Sequence, residues 1–217
     1  MHYYTNIKRY KDLILARGVK NGEKYIKRMK YEPTLYIPTN KETPHKSIAG
    51  EYLQSKKFSS PSQARHWKKQ YDNTGIDIHG LEQWEYTYIA ETYPSDIDFD
   101  IKNINILNID IECECEGGFP EPTEAIERVN AITMKLFGHK ETHVIGIDNF
   151  DYKNDDPNVI YHKTRHEKEL LLEFMRIWDE LEPDIITGWN VETFDIAYLV
   201  NRIWKLFDWD TVRKLSP

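Results

Sequence analysis

The 217-residue chain is 40% hydrophobic and 30% charged, which excludes an intrinsically disordered protein and predicts one large domain or two small ones. No apolar run approaches the ~18 to 20 residues that span a bilayer, and no signal-peptide core follows the first residues, so we expect a cytoplasmic protein. The two cysteines, Cys113 and Cys115, are a poor disulfide pair and too few for a zinc site, which favours reduced thiols.

The net charge of −7 conceals two differently charged parts. Residues 1–70 contain 16 Lys and Arg against 5 Asp and Glu, whereas the remainder contains 13 against 31. A basic part followed by an acidic part indicates two modules with different roles. The basic module either contacts nucleic-acid phosphates or presents an ordinary solvated lysine-rich face, and charge alone leaves both interpretations open.

Short strands are predicted at the start of the first module. Asn21-Gly22 lies between two apolar segments and is a strong signal for a hairpin turn. Leu35-Tyr36-Ile37, which ends at Pro38, predicts another strand. The polar residues 39–59 are expected to form a loop.

One helix and one strand complete the predicted first module. Ser60-Pro61-Ser62-Gln63 has the signature of a helix N-terminus, with a serine cap, a proline in the first turn and a glutamine that closes a capping box. Gly75 is expected to end this helix. A strand is predicted at 84–92, and the polar stretch 94–103 marks a boundary between modules.

The second module alternates between strands and helices. Its β-branched and apolar segments predict strands at 104–112, 131–137, 143–147, 159–161 and 185–187. Apolar residues recur at helical spacing over 166–181 and 194–207, where we expect two amphipathic helices. This order of elements predicts an α/β or α+β fold.

Two acidic residues stand out in the first strand of this module. In Ile109-Asp110-Ile111-Glu112 the alternation of a strand places Asp110 and Glu112 on one face and the isoleucines on the other. Adjacent carboxylates repel each other unless a cation lies between them, and Mg²⁺ prefers such oxygen ligands. The pair therefore indicates either a metal site or the wet acidic face of an edge strand.

A third acidic residue follows the last predicted strand. The segment Thr187–Asp195 leads from that strand into the second helix, so Asp195 lies near a helix N-terminus. Asp195 is either a third metal-binding carboxylate, with Asn190 hydrogen-bonding in the same pocket, or only a first-turn acid. Thr193 is the alternative N-cap residue.

These motifs resemble those of the family B DNA polymerases, most closely the polymerases of T-even-type phages. Asp110-Ile111-Glu112 is similar to the first exonuclease motif, D-x-E, and the segment from Asn190 to Asp195 is similar to the second, N-x-x-x-F/Y-D. Gly117–Pro122, Leu170-Leu171 and Lys214–Pro217 are also similar to that phage group. The resemblance extends over essentially the whole chain.

The resemblance implies two domains. Residues 1–104 would form the mostly β N-terminal domain of a polymerase, which lies near the template strand, and residues 105–217 the first part of an RNase H-like 3′→5′ exonuclease domain. The implied partners are a single-stranded 3′ end, the template strand, a C-terminal polymerase segment or second polypeptide, and other replisome proteins. A phage-encoded protein of this kind would act in the host-cell cytoplasm.

The resemblance also implies the chemistry of the site. Two divalent ions, Mg²⁺ or Mn²⁺, would support phosphodiester hydrolysis during proofreading. Asp110 would bridge both ions, Glu112 would hold the ion that carries the attacking water, and Asp195 would serve the second ion.

Two aromatic residues and an asparagine are implied to contact the substrate. Phe119 resembles an aromatic residue that stacks on the terminal bases, and Phe194 and Asn190 belong to the second motif. A plain loop anchor before Pro120 is the alternative interpretation of Phe119.

The third exonuclease motif of the family, Y-x-x-x-D, is expected after the second. The one match to its spacing, Tyr152 to Asp156, lies between the first two motifs in a polar loop, and we interpret it as a chance match. A polymerase palm signature, Y-x-D-T-D, is also absent from these 217 residues. We therefore expect that the chain does not polymerise DNA alone, and that it is either one subunit of a split polymerase or a shortened form of a longer one.

Three functions remain open at this point. The chain contributes half of a proofreading exonuclease site, or it is a nucleic-acid-binding or partner-binding module without catalysis of its own, or it is a separate nuclease of the same superfamily that acts on RNA. The third would need its own late acidic motif, which the sequence does not show.

Overall fold

The computed structural model describes residues 2–115, 117–147 and 156–216. The chain divides into two compact units, Met1–Asp100 and Ile101–Pro217. The first unit ends within the polar stretch 94–103 that the sequence marks as a boundary. Within the described residues, no helix has both the length and the apolar character needed to cross a bilayer.

A three-stranded antiparallel sheet begins the first unit. It consists of β1 (His2–Tyr10), β2 (Leu13–Lys20) and β3 (Glu23–Lys30) in that order. The predicted hairpin is confirmed: Asn21 and Gly22 connect β2 to β3 with φ angles of 56° and 87°. Two successive positive φ angles match the right-handed twist of the paired strands, which explains the Asn-Gly pair.

The second sheet of this unit corrects one expectation. Its strands are β4 (Thr34–Pro38), β5 (His45–Lys46) and β6 (Tyr52–Lys57), in the order β4-β6-β5. The strand at 35–37 is confirmed, but the prediction of a loop over 39–59 is wrong. Strand β6 buries only Leu53 fully, so backbone pairing with β4 forms a strand that a polar sequence does not reveal.

Helix α1 (Pro61–Lys69) begins as predicted. The Ser60 side chain accepts a hydrogen bond from the Gln63 amide at 3.2 Å, and the Gln63 side chain accepts one from the Ser59 amide at 2.9 Å. The expectation that Gly75 ends this helix is wrong, because the helix stops at Lys69. A further turn, closed by the bond from the Thr74 amide to the Tyr71 carbonyl, precedes the glycine.

Residues 84–92 form a helix, α2 (Trp84–Thr92), and not the predicted strand. Trp84 is fully buried, and both Trp84 and Tyr88, one turn apart, pack against the ring of Tyr31. Tertiary packing of this aromatic pair outweighs the strand preference of the segment's aromatic and β-branched residues. One cluster of buried core residues in this unit consists of Ile14, Ala16, Tyr31, Leu35, Phe58, Ala64, Trp67 and Trp84.

All five strands predicted for the second unit are confirmed. They form one mixed sheet, in the order β10-β9-β8-β7-β11, with β7 and β8, and β8 and β9, antiparallel. The pairs β9–β10 and β7–β11 are parallel. The strands are β7 (Ile106–Cys113), β8 (Val129–Leu136), β9 (Thr142–Ile147), β10 (Val159–Thr164) and β11 (Ile185–Thr187).

Two amphipathic helices pack on this sheet, as predicted. Helix α3 (Glu167–Leu181) contacts β8 and β9, and α4 (Asp195–Leu206) contacts β7. A short helix, α5 (Trp209–Arg213), follows and was not predicted. A mostly β first unit and a mixed sheet with helices in the second confirm the α+β fold class. The core of the second unit includes Leu107, Ile109, Ile132, Met134, Ile145, Leu170, Phe174, Ile177, Leu199 and Ile203.

Both cysteines are free thiols, as the sequence indicated. Cys113, at the end of β7, is half-buried, and this burial raises the pKa of its thiol to about 12. The thiol is therefore protonated at neutral pH and a poor nucleophile.

Candidate active site

Strand β7 separates two acidic side chains from the core. Asp110 and Glu112 are exposed, whereas Ile109 and Ile111 are buried, so the predicted alternation is observed. On the neighbouring strand β8 the residue opposite Asp110 is Thr133, which carries no charge. Within 2–115, 117–147 and 156–216, neither carboxylate forms an ion pair with Lys, Arg or His. The described residues therefore do not neutralise the negative charge on this face.

Asp195 lies against the same strand. It is the first residue of α4, only 2% of it is exposed, and its Oδ1 accepts a hydrogen bond of 3.0 Å from the backbone amide of Ile111. Strand β11 ends at Thr187, opposite Asn108, and among the described residues no strand pairs with this edge of β7 farther along. Asp195 thus satisfies a strand amide between Asp110 and Glu112.

The surroundings of Asp195 disfavour its charged form. Burial raises the pKa of this carboxyl above its usual value, the amides of Ile111 and of Asp195 itself lower it, and the negative charge of Asp110 raises it. Burial dominates, so the pKa is raised overall. A cation next to these carboxylates would offset the cost of burying the Asp195 charge. It would also reduce the repulsion between Asp195 and Asp110.

The turn before α4 is fixed by its own backbone. Asn190 has a positive φ of 58°, and its carbonyl oxygen accepts hydrogen bonds from the amides of Thr193 and Phe194 at 3.1 and 2.9 Å. The Thr193 hydroxyl also bonds to the Asn190 side chain. Thr193 is not the N-cap, because Phe194 occupies that position without a side-chain cap, and Asp195 is a first-turn acid.

The two aromatic residues proposed to contact substrate lie together. The ring centroids of Phe119 and Phe194 are 4.8 Å apart, and the Phe119 side chain is 80% exposed. Phe194 in turn packs against Tyr198 at 5.7 Å. The pair presents an open aromatic surface directly before the helix that begins with Asp195.

Gly188 is a site residue that the sequence analysis missed. A Cβ at this position would lie 2.5 Å from the Ile109 carbonyl oxygen and 3.2 Å from the Val191 Cβ. The turn that carries Asn190 can approach the strand of Asp110 only because residue 188 has no side chain. A glycine directly after a predicted strand was the available signal.

No complete metal cluster is formed by the part of the chain that the structure describes. No three His, Cys, Asp or Glu side chains within it are grouped closely enough to hold a metal ion. Glu114, just beyond the end of β7, forms an ion pair with Arg128. Of the chance match to the third motif, Asp156 accepts hydrogen bonds from Asn158, and Tyr152 lies outside the described residues.

Comparison with known proteins identifies the class. Residues 57–216 match the family model for the exonuclease domain of DNA polymerase family B. The match covers more than half of the chain, so the chain belongs to the family B DNA polymerases. The resemblance drawn from the two exonuclease motifs is confirmed.

The individual relatives include phage and eukaryotic polymerases. The chain is 30% identical to the DNA-directed DNA polymerase of Escherichia phage RB69, over 99% of the chain and 27% of the relative. It is 28% identical to that of Enterobacteria phage T4, over 99% of the chain and 26% of the relative. A DNA polymerase delta catalytic subunit from Dictyostelium discoideum is 35% identical over 46% of the chain and 9% of the relative. The chain thus spans about a quarter of the length of these phage relatives.

Substitution of Gly188 by Ala should weaken the packing of the turn against β7. The new Cβ meets a backbone oxygen that cannot move away without distorting the strand, so we expect a loss of about 1–3 kcal/mol in the free energy of unfolding. Urea unfolding followed by tryptophan fluorescence measures it. Gly117→Ala is the matched control, because nothing lies within 4 Å of a Cβ there; an equal loss in both variants would contradict the close approach.

Asp195→Asn should stabilise the fold near neutral pH. The raised pKa of Asp195 means that its contribution to stability is fully present below the ordinary aspartate value of 3.8 and is lost as the pH rises through the folded pKa. Asparagine keeps an acceptor for the Ile111 amide without the buried charge. Thermal unfolding from pH 3 to 8 should show an advantage of the variant that is largest near pH 7 and shrinks towards low pH.

The matched control for this series is Asp179→Asn, which removes the same charge from an exposed position on α3. A pH-independent advantage of Asp195→Asn, or an equal one in the control, would contradict the raised pKa.

Proposed function

We propose that the chain contributes the acidic residues of a 3′→5′ proofreading exonuclease within a replicative family B polymerase. The observation that carries the proposal is the hydrogen bond from the Ile111 amide to Asp195. It joins two motifs that are 84 residues apart, and it holds the third carboxylate beside the strand of Asp110 and Glu112. The comparisons support membership of the polymerase family. The 3′→5′ direction of hydrolysis and its dependence on metal ions are part of what we propose.

The three carboxylates have the chemistry to hold divalent metal ions. Asp110 and Glu112 are exposed without a cationic partner among the described residues, and Asp195 is held close to Asp110 with a raised pKa. Carboxylate oxygens of this kind suit Mg²⁺ or Mn²⁺. Two such ions, when bound, would activate water and neutralise the scissile phosphate. Asp110, Glu112 and Asp195 would hold them, and the hydrogen bond from the Ile111 amide fixes Asp195 beside β7.

The substrate would be the single-stranded 3′ end of DNA. The exposed Phe119 ring on Phe194 offers a surface on which a terminal base can stack, and stacking tolerates every base. Asn190, which forms the tight turn beside these rings, would position the backbone of the strand. An exonuclease that removes any misincorporated nucleotide must contact the terminal base whatever its identity.

Residues 105–217 would serve as the exonuclease part and residues 1–104 as the N-terminal domain on the template side. Polymerisation would depend on a C-terminal polymerase segment or a second polypeptide, and other replisome proteins would be further partners. The family relationship supports DNA as the common partner of all these parts.

Simultaneous replacement of Asp110 and Glu112 by Ala tests the proposal. We expect stepwise 3′ degradation of single-stranded and 3′-recessed DNA with Mg²⁺ or Mn²⁺, most clearly when a polypeptide with the remaining polymerase domains is added. The double variant should lose at least about 100-fold in rate, because the ligands of the ions are removed. Denaturing gels of end-labelled DNA give the rates.

The matched control replaces Asp179 and Glu141, two exposed acids elsewhere in the same unit, by Ala. It removes the same charge and should leave the rate unchanged. If wild type and the Asp110/Glu112 variant are equally inactive under all conditions while DNA binding persists, the binding-module function replaces the catalytic one.

A second candidate function, nucleic-acid binding by the first unit, is favoured by one face of the β1-β2-β3 sheet. Lys8, Leu15 and Arg28 are directly opposite one another across the three strands. The next row on the same face consists of Tyr10, Leu13 and Lys30.

This face combines exposed cations with exposed apolar side chains. Lys8, Arg28 and Lys30 are exposed, and Tyr10 and Ile26 are 57% and 55% exposed. Cations that neutralise phosphates, next to an aromatic ring on which a base can stack, are a combination that binds single strands. We propose that the template strand contacts this face.

Lys8→Gln combined with Arg28→Gln should reduce the salt dependence of binding. Removing one cation that neutralises a phosphate lowers the slope of log K against log salt by about 0.7 for single strands, so the pair should lower it by about 1.4. Fluorescence anisotropy with labelled oligonucleotides at several salt concentrations gives the slope. Lys41→Gln with Lys140→Gln, at exposed positions outside the sheet, is the control; equal slopes in both double variants would refute the face as the binding surface.

A further inference from the structure

One face of helix α4 carries a stripe of polar side chains, next to the apolar residues that pack the helix into the core. The side chains of Tyr198, Asn201, Arg202 and Lys205 recur at the spacing of a single helix face. All four donate hydrogen bonds to backbone carbonyl oxygens of one irregular segment, residues 122–127. The polar side chains of the helix therefore bind the main chain of this segment.

The individual bonds are short and well separated along the segment. Asn201 Nδ2 donates to the Pro122 carbonyl at 2.9 Å, and the Tyr198 hydroxyl donates to the Glu127 carbonyl at 2.7 Å. Between them, Arg202 Nη1 donates to the Ala125 carbonyl at 3.1 Å, and Lys205 reaches the carbonyl of the preceding residue. The two ends and the middle of the segment are thus fixed to one rigid element.

Arg202 also connects the segment to α3 and to the sheet. Its Nε and Nη2 donate to the two carboxylate oxygens of Glu167, both at 2.7 Å, and Glu167 Oε1 accepts the amide of Val129 at 2.8 Å. Glu167 is buried, with 8% exposed. Ala125, which is fully buried, has a positive φ of 41°, a conformation that persists only where the surroundings impose it.

The bound segment leads away from the candidate site. It connects β7, which carries Asp110 and Glu112, to β8, and Phe119 precedes it by a few residues. The Phe119 ring contacts Phe194, which immediately precedes α4. The first residue of the same helix, Asp195, is bonded to β7. A single helix therefore fixes both the third carboxylate and the segment that directly follows the loop of the exposed aromatic ring.

We propose that Tyr198, Asn201 and Arg202 are positioning residues, which hold segment 122–127 by its main chain so that Phe119 stays over Phe194 to receive the terminal base. The inference rests on the proposed exonuclease function and extends it to residues that do not touch the substrate. The polar stripe holds the segment through its carbonyl oxygens, while the buried Ala125 belongs to the same core cluster as Tyr198 and Leu199 of the helix.

Asn201→Ala removes one of these bonds and leaves the helix intact, since alanine is the better helix former. The Pro122 carbonyl then lacks its donor, and amide hydrogen exchange over 119–128 in the full chain should be about 3- to 10-fold faster. The second readout uses a single-stranded oligonucleotide with 2-aminopurine at its 3′ end, in EDTA, so that no metal or hydrolysis is involved. Its dissociation constant should rise by about 3- to 10-fold, with less quenching of fluorescence.

Asn201→Gln keeps an amide donor and should recover most of both effects, whereas Asn40→Ala, at an exposed position of the first unit, should change neither. Unchanged exchange in Asn201→Ala overturns the proposal. Faster exchange with unchanged quenching and affinity also overturns it, because the bonds then serve only the fold. If wild type shows no quenching at all, the substrate role of Phe119 fails together with the positioning role. Unchanged metal-dependent hydrolysis in the Asp110/Glu112 variant would instead refute the proposed catalytic site.

Discussion

The arrangement of the second unit depends on how the free edge of β7 is satisfied. Beyond Asn108 no strand in the described part of the chain pairs with this edge. A buried amide without an acceptor costs about 1–3 kcal/mol. Asp195 supplies the acceptor for the Ile111 amide, and the amide in turn offsets part of the unfavourable burial of the carboxylate. This hydrogen bond connects β7 to α4, and it brings a third acidic group to the site. The same residue therefore contributes to structure and to the proposed chemistry.

The stability of this region is limited by the charges that its proposed function requires. Asp110 and Asp195 repel each other, and Asp195 is buried with a raised pKa. A protein optimised for stability alone would have neutral residues at these positions, and groups whose pKa is perturbed by burial and by a like charge are typical of functional sites. The buried isoleucines of β7 anchor the strand in the core, so the exposed face can carry charge without losing the strand.

Rigid main-chain contacts surround the acidic residues. Gly188 allows a turn to lie against the Ile109 carbonyl, and the polar stripe of α4 binds carbonyl oxygens of segment 122–127. Both contacts involve backbone carbonyl oxygens. Such contacts hold irregular backbone in one conformation between regular elements, which is what a site formed by several separate segments requires.

The sequence alone determined the elements in which pattern and burial agree. The five strands of the second unit, helices α3 and α4, the Asn21-Gly22 hairpin and the alternation of Asp110 and Glu112 followed from periodicity and turn chemistry, and the two motifs indicated the family. Tertiary structure decided the rest. Helix α2 forms because Trp84 and Tyr88 pack on Tyr31, and β6 forms because a polar segment pairs with β4. The positions of Asp195, Gly188 and Arg202 depend on atoms far away in the sequence, and no local pattern encodes which distant backbone group a side chain will meet.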